Sequence, residues 1–253
     1  MNPHGDSHVK RSSEEPVIRA LLISNDPPTI GQLSESLHEF AASTQVCTDV
    51  ASAVRLLNTR KFETVVVDLQ MGDESRNVLE RVRLSPSNST TIAFAVTETT
   101  KESAIAFEAG SNFVLERPLS TRSVGRTLEK AYGMIMRERL RYFRCAISSP
   151  ATILKDNAGI PCQVFNISEG GMAVTVPVPL KPGEELVVET RIPCQASAFS
   201  ARIEVCWYDE KGRAGVRFLT ISAEQGGELR EWLSKQLEDS LPESLASRFR
   251  AST

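Results

Sequence analysis

The pattern that most constrains the fold is an alternation of short apolar segments with amphipathic ones through residues 19–141. Arg19–Ser24 (RALLIS), Thr64–Val67 (TVVV) and Thr91–Val96 (TIAFAV) are almost continuously apolar, which is typical of strands buried on both faces. Between them, segments such as Thr29–Phe40 carry apolar residues at helical spacing. The β–α alternation occurs five times and predicts a five-stranded parallel sheet covered by helices on both faces.

The pattern changes after Arg144, where helical spacing gives way to short strands separated by glycine and proline. An amphipathic helix is predicted over Ser222–Leu237, with Ser222 as its N-cap. The strands are predicted at Ala151–Leu154, Gln163–Asn166, Met172–Val176, Glu185–Thr190, Ala198–Trp207 and Ala214–Phe218. The fold class is therefore α/β plus β: a doubly wound, flavodoxin-like parallel-sheet domain, then a small antiparallel β-barrel with a C-terminal helix.

Composition divides the 253 residues into four predicted segments. Residues 1–15 are polar and are expected to be disordered, and residues 239–253 are expected to form a flexible tail. Residues 16–136 form the predicted α/β domain, and residues 137–238 form the predicted barrel.

Charge and residue usage disfavour several classes of function. The net charge of −3 argues against binding to nucleic acid, and the absence of a long apolar run or a signal sequence predicts a cytoplasmic protein without a membrane span. The histidines are scattered and no two cysteines have Cys-x-x-Cys spacing, so neither a histidine-based catalytic site nor a cysteine metal centre is expected, and we predict that the protein is not an enzyme. The cysteines lack Cys-x-x-Cys spacing and are expected to be buried, unreactive thiols: Cys47, Cys145, Cys162, Cys194 and Cys206.

Polar residues follow four strands of the predicted sheet, and the carboxyl ends of parallel strands meet at one edge. These residues are Asp26 (after Asn25), Asp68, Thr97 and Arg117. The constellation resembles a response-regulator receiver domain over residues 17–135. The resemblance implies that Asp68 is the phosphoacceptor, that Asp26 helps to hold Mg²⁺, and that Thr97 and Arg117 contact the phosphoryl group.

The match to the receiver pattern departs at several positions. Asn25 replaces one of the two metal-binding acids, Arg117 stands where the family has lysine, and Val114 stands at the aromatic switch position. One hypothesis is a phosphorylatable Asp68 switch. The other is a degenerate receiver that serves as a docking or dimerisation platform, with a homodimer formed through this domain or the long predicted helix Thr121–Arg141.

Two features of the second half belong together. Arg137–Arg144 (RERLRYFR) is a basic segment before the first barrel strand, and Asn166–Gly171 (NISEGG) follows an apolar strand. Together with Pro182-Gly183, Val205–Trp207 and Gly215–Phe218, they resemble a PilZ domain, the family of cyclic di-GMP receptors, over residues 137–238. Arginine suits this ligand because its guanidinium pairs bidentately with phosphate and with guanine, and stacks on purines.

The resemblance implies a ligand site on the barrel. Its members are Arg137, Arg139, Arg141, Arg144, Asn166, Ser168 and Gly171. Leu140 occupies the first arginine position of the family's Arg-x-x-x-Arg motif, so neighbouring arginines would have to compensate. The structural alternative is a solvated helix end whose arginines pair with acids such as Glu138, followed by an ordinary turn. Trp207 is predicted to pack in the barrel core, with a place on the ligand wall as the alternative.

The sequence therefore predicts a cytoplasmic signalling protein that binds cyclic di-GMP and relays binding to an unidentified protein partner through the hinge at Arg137–Arg144. The alternatives are an interaction scaffold that binds no ligand, and the Asp68 phospho-switch.

Overall fold

The computed structural model describes residues 18–156, 158–193 and 198–252. It divides into two compact units between Ala131 and Tyr132, five residues before the predicted domain boundary. The expected disorder of residues 1–15 lies outside the described residues.

The N-terminal unit is built on a five-stranded parallel sheet in the order β2-β1-β3-β4-β5. Its strands are β1 (Ile18–Ile23), β2 (Ala42–Cys47), β3 (Thr64–Asp68), β4 (Ile92–Thr97) and β5 (Phe113–Glu116). Its helices are α1 (Pro27–His38), α2 (Val50–Thr59), α3 (Asp73–Leu84), α4 (Thr100–Glu108) and the start of α5 (Thr121–Tyr142). This strand order is that of the flavodoxin-like doubly wound fold, so the predicted fold class is confirmed.

Burial explains why the strand prediction succeeded. Every residue of β3 and β4 is buried, because helices cover both faces of the sheet. The turn after β1 is fixed by Asp26, which is the N-cap of α1 and accepts a hydrogen bond from the backbone N–H of Thr29 at 3.1 Å. The N-cap thus holds the Asp26 carboxylate at the carboxyl edge of the sheet.

The C-terminal unit is a closed antiparallel barrel in the order β10-β11-β8-β7-β6-β9, as predicted. Its strands are β6 (Cys145–Lys155), β7 (Ala158–Ser168), β8 (Gly171–Thr175), β9 (Glu185–Thr190), β10 (Phe199–Tyr208) and β11 (Arg213–Thr220). Helix α6 (Ala223–Asp239) follows, and the predicted cap is confirmed because the Ser222 hydroxyl accepts from the backbone N–H of Gln225 at 3.2 Å.

The segment expected to be a flexible tail contains a further helix, α7 (Glu243–Ser252). Leu245 and Phe249 are buried one turn apart on it, and the carbonyl of Leu245 accepts a hydrogen bond from the Tyr132 hydroxyl at 3.5 Å. Arg250 forms ion pairs with Glu238 and Glu243 at 2.6 and 2.5 Å. The expectation was wrong because the charged residues concealed this short apolar repeat.

The cysteines differ from one another in exposure. Cys47 is buried as expected, and desolvation raises the pKa of the half-buried Cys162 thiol to about 11, which keeps it protonated at neutral pH. Cys206 is exposed, which corrects the prediction of a buried thiol, and Cys194 lies outside the described residues. Among the helices described, none is long and apolar enough to cross a membrane.

Candidate functional sites

The carboxyl edge of the N-terminal sheet brings Asp26, Asp68 and Arg117 together, as the sequence predicted. Asp68 is fully buried, and its Oδ2 accepts hydrogen bonds from the Ser24 hydroxyl at 2.7 Å and from Arg117 Nη2 at 2.9 Å. Arg117 Nη1 lies 3.6 Å from Asp26 Oδ2. One guanidinium therefore bridges the two carboxylates. A cavity of about 510 Å³ opens beside it, lined by Asp26, Thr29, Gln32, Glu98 and Arg117 among others.

Thr97 is placed at this edge but its hydroxyl is engaged elsewhere. Thr97 Oγ1 lies 3.0 Å from Ser103 Oγ. Ser103 Oγ in turn donates to Glu116 Oε1 at 3.2 Å. Thr97 is fully buried. The predicted contact between Thr97 and a phosphoryl group on Asp68 thus remains a prediction, and the hydrogen bond to Ser103 was not foreseen.

The hydrogen-bond donors around Asp26 and Asp68 decide how well this edge of the sheet fits Mg²⁺. Asp26 Oδ2 accepts from both the backbone N–H and the hydroxyl of Thr29, and that hydroxyl contributes most to holding the pKa of Asp26 below its ordinary value. The oxygens of Asp68 accept from Ser24, Arg117 and the backbone N–H of Gln70. Asn25 is exposed, and the described residues contain no group of three or more side chains suited to a metal ion. Mg²⁺ binds through one or two carboxylates in a near-ideal octahedral shell, so two acids whose Oδ2 atoms already accept these donors, with a guanidinium between them, fit it poorly.

The polar turn of the barrel is a tight β7–β8 hairpin. Ser168 pairs with Gly171 across it, and the Ser168 hydroxyl donates to the Gly171 carbonyl at 3.0 Å. Two residues earlier, Asn166 Oδ1 is a buried acceptor without a hydrogen-bond partner in the described structure. A buried, unpaired acceptor is costly unless a donor reaches it, so Asn166 Oδ1 is a candidate acceptor for a water molecule or a ligand.

The strand register brings the end of the basic segment to this hairpin. Cys145 pairs with Ile167 and Ala146 pairs with Asn166, and Arg144 is the residue directly before this paired stretch. The arginine segment and the polar hairpin are thus neighbours in the backbone of one compact unit.

Helix α5 sets the positions of the other arginines. It continues to Tyr142, so only Phe143 and Arg144 separate it from β6, and the hinge is much shorter than predicted. Arg137 and Arg141 are exposed one helical turn apart, while Leu140 is buried. Leu140 thus occupies the buried side of α5, and Arg137 and Arg141 occupy exposed positions of the same helix.

The arginines differ in how they are already engaged. Arg139 is half-buried and interacts within the chain, whereas Arg137, Arg141 and Arg144 form no hydrogen bond or ion pair with any residue that the structure describes. Acids such as Glu138 therefore do not hold those three arginines within the described chain, although Arg137 and Arg141 do lie exposed at the end of α5, as the solvated-helix alternative predicts.

Gly171 has a packing role. A Cβ atom added there would lie 2.1 Å from the carbonyl oxygen of Val216 and 3.0 Å from the Cα of Arg217. Both belong to β11, which pairs with β8. Only glycine permits this close approach of two backbones, and the approach fixes the hairpin that carries Ser168.

Trp207 does not pack in the barrel core. Its side chain is 46% exposed, and a Cβ atom on Gly215 would collide with the ring, so the indole lies over Gly215. The strand pairs connect Trp207 to Gly215, Gly215 to Ala173, and Ala173 to Asn166. We call this cross-strand row, Trp207–Gly215–Ala173–Asn166, the barrel platform. It places an exposed aromatic ring and an unpaired amide oxygen on one face, with small residues between them.

Comparison with family models identifies a known domain in the C-terminal half of the sequence. Residues 138–235 match the family model of the PilZ domain. A search of curated proteins finds no match to this sequence.

Three solved structures illustrate the structural likeness. The receiver domain of a sensor histidine kinase from Pseudomonas aeruginosa is 18% identical, with a TM-score of 0.40 over 45% of this chain and 95% of its own. A response regulator from Thermotoga maritima is 16% identical, with a TM-score of 0.41 over 47% of this chain and 98% of its own. An inhibitor of motility from Bacillus subtilis is 20% identical, with a TM-score of 0.34 over 38% of this chain and 50% of its own.

Proposed function

Because residues 138–235 form a PilZ domain, we propose that this chain is a signalling protein whose C-terminal unit binds cyclic di-GMP. The observation that supports the proposal is the pairing of Cys145 with Ile167 beside the Ser168 hairpin, directly after Arg144, whose side chain forms no hydrogen bond or ion pair with the described residues. Binding is relayed to a protein partner through the link Phe143-Arg144.

The proposed contacts follow from the chemistry of the ligand. Arg144 and Arg141 supply guanidinium groups for phosphate oxygens and for the O6 and N7 atoms of guanine. Asn166 presents an unpaired amide oxygen, which suits a guanine N–H donor. The Ser168 hydroxyl holds the hairpin through Gly171 and remains able to accept a hydrogen bond.

Calorimetric titration of the full-length chain with cyclic di-GMP tests this site. We expect saturable heat for the unaltered protein, and a loss of about one to two decades in affinity for Arg144→Ala, because one charge-assisted contact is worth about 1.5–3 kcal/mol. Ser168→Ala is expected to weaken binding as well. Arg202→Ala is the control, since Arg202 is an exposed arginine of β10 that pairs with Glu185.

The outcomes distinguish the receptor from a scaffold that binds no ligand. If the unaltered, folded protein gives no heat with cyclic di-GMP, the scaffold hypothesis replaces the proposal. If Arg202→Ala weakens binding as much as Arg144→Ala does, the effect is one of general charge and the assigned site is wrong. If binding is relayed through Phe143-Arg144, the ligand should slow hydrogen exchange at the backbone amides of residues 143–146. Unchanged exchange at these residues would exclude the relay.

A separate prediction concerns Trp207. If the barrel platform takes a base, Trp207→Ala should lower the affinity for cyclic di-GMP by about 1–3 kcal/mol, the usual contribution of stacking between a base and an aromatic ring. Trp207→Phe should retain much of the affinity because it keeps a flat ring. Equal affinities of Trp207→Ala and the unaltered protein in the same titration would show that the ligand does not reach this end of the platform.

A further inference from the structure

We propose that Arg117 is a built-in cation between Asp26 and Asp68, which closes this pair of carboxylates to divalent metal ions and keeps Asp68 from accepting a phosphoryl group. The proposal concerns the N-terminal unit alone and does not depend on cyclic di-GMP. It starts from the misfit between this edge of the sheet and Mg²⁺.

The first step is the geometry of the guanidinium. Its two terminal nitrogens point to different carboxylates, Nη2 to Asp68 Oδ2 at 2.9 Å and Nη1 to Asp26 Oδ2 at 3.6 Å. Both contacts are made to Oδ2 atoms, so a divalent ion held by these oxygens would have to displace the guanidinium. The planar fork of arginine spans both carboxylates, whereas the point charge of a lysine ammonium reaches its acceptors from a single atom.

The second step is that the Oδ2 atom of each acid already accepts two hydrogen bonds. Asp68 Oδ2 accepts from Ser24 and Arg117, and Asp26 Oδ2 accepts from the backbone N–H and the hydroxyl of Thr29. Mg²⁺ dehydrates reluctantly and demands near-ideal octahedral geometry, so it does not compete well for oxygens that must first lose these donors.

The third step is charge. The two carboxylates and the guanidinium carry a combined charge of −1, which is half of the negative charge that Asp26 and Asp68 would offer without Arg117. Asn25, in the place of a further acid, adds a neutral amide and is exposed. A metal ion that enters would also meet the guanidinium at close range, and like charges repel strongly in a partly buried site.

The consequence for Asp68 follows from the same contacts. To attack a phosphorus atom, one of its oxygens has to release its hydrogen-bond donors and approach an anionic donor molecule without a metal ion to neutralise charge. Ser24 and Arg117 hold Oδ2, and the backbone N–H of Gln70 holds Oδ1 at 3.2 Å. A phosphoryl donor would therefore have to disrupt three hydrogen bonds before Asp68 could attack.

Mn²⁺ titration of the full-length chain, with free Mn²⁺ counted by electron paramagnetic resonance, tests the proposal. We expect no binding by the unaltered protein at submillimolar Mn²⁺, and at least tenfold tighter binding by Arg117→Ala. The double variant Arg117→Ala with Asp68→Asn should lose the gained binding. Arg122→Ala is the control, because it removes an exposed arginine of α5 without touching the carboxylates.

Arg117→Lys covers the case in which Arg117→Ala does not fold, since it keeps a positive charge but cannot span both acids. It should also bind Mn²⁺ more tightly than the unaltered protein. The proposal is overturned if the unaltered protein binds Mn²⁺ as tightly as the folded Arg117 variants do. It is equally overturned if the unaltered protein gains the mass of one phosphoryl group with acetyl phosphate and Mg²⁺.

Discussion

Replacing Arg117 with methionine is expected to destabilise the N-terminal unit by about 3–5 kcal/mol, because it leaves the Asp68 carboxylate buried without its counter-ion. Asp68 has no exposed side-chain surface, and the guanidinium that neutralises it belongs to a side chain that is only 23% exposed, so the pair is largely removed from bulk water. Ser24 still donates to Asp68 in this variant, but one neutral hydrogen bond does not compensate for the loss of a full charge.

Urea unfolding observed by two methods locates this effect. Both tryptophans, Trp207 and Trp232, lie in the C-terminal unit, so their fluorescence reports that unit, whereas circular dichroism reports both units. The Arg117→Met transition should move to lower urea in circular dichroism and remain unchanged in fluorescence. The double variant Arg117→Met with Asp68→Asn should recover most of the loss, because no buried charge remains. A double variant as unstable as the single one would show that Arg117 stabilises the unit by packing instead.

The secondary structure could largely be predicted because burial and sequence period agree. Both ends of β9 were predicted at Glu185 and Thr190, and β3 was predicted to within one residue. The strands β6 and β7 were predicted too short. Pro150 and Pro161 resemble strand breaks in sequence, yet both are paired in the antiparallel ladder between these strands. Local signals underestimate a strand wherever distant neighbours decide its length.

The contacts in the candidate sites were likewise only partly predictable from the sequence. The meeting of Asp68 with Arg117 was predictable, because parallel strands end at one edge. The bridge from Arg117 to Asp26 was not, since it depends on the length and direction of one side chain. Trp207 was misplaced because indole rings are usually buried, and only the pairing of Trp207 with Gly215 shows that the ring lies on an outer face over a residue without a side chain.

The second large effect is a loss of stability on substitution of Gly171, one of two adjacent glycines in the β7–β8 hairpin. Gly171→Ala is expected to destabilise the C-terminal unit by about 3 kcal/mol, the upper end of the usual cost of overpacking. The added Cβ atom would meet the Val216 carbonyl oxygen at 2.1 Å, and this atom belongs to backbone that cannot swing aside as a flexible side chain can. Relief would require β8 and β11 to separate, which would weaken their paired register.

Gly170→Ala is the matched control in the same turn. A Cβ atom there has no heavy atom within 4 Å, and alanine reduces the conformational entropy of the unfolded chain, so stability should stay the same or rise slightly. Urea unfolding followed by tryptophan fluorescence measures both variants in the unit that carries the change. Equal losses for the two variants would assign the effect to the flexibility of the turn. A loss confined to Gly171→Ala would instead assign the effect to the close contact between β8 and β11 on which the Ser168 hairpin rests.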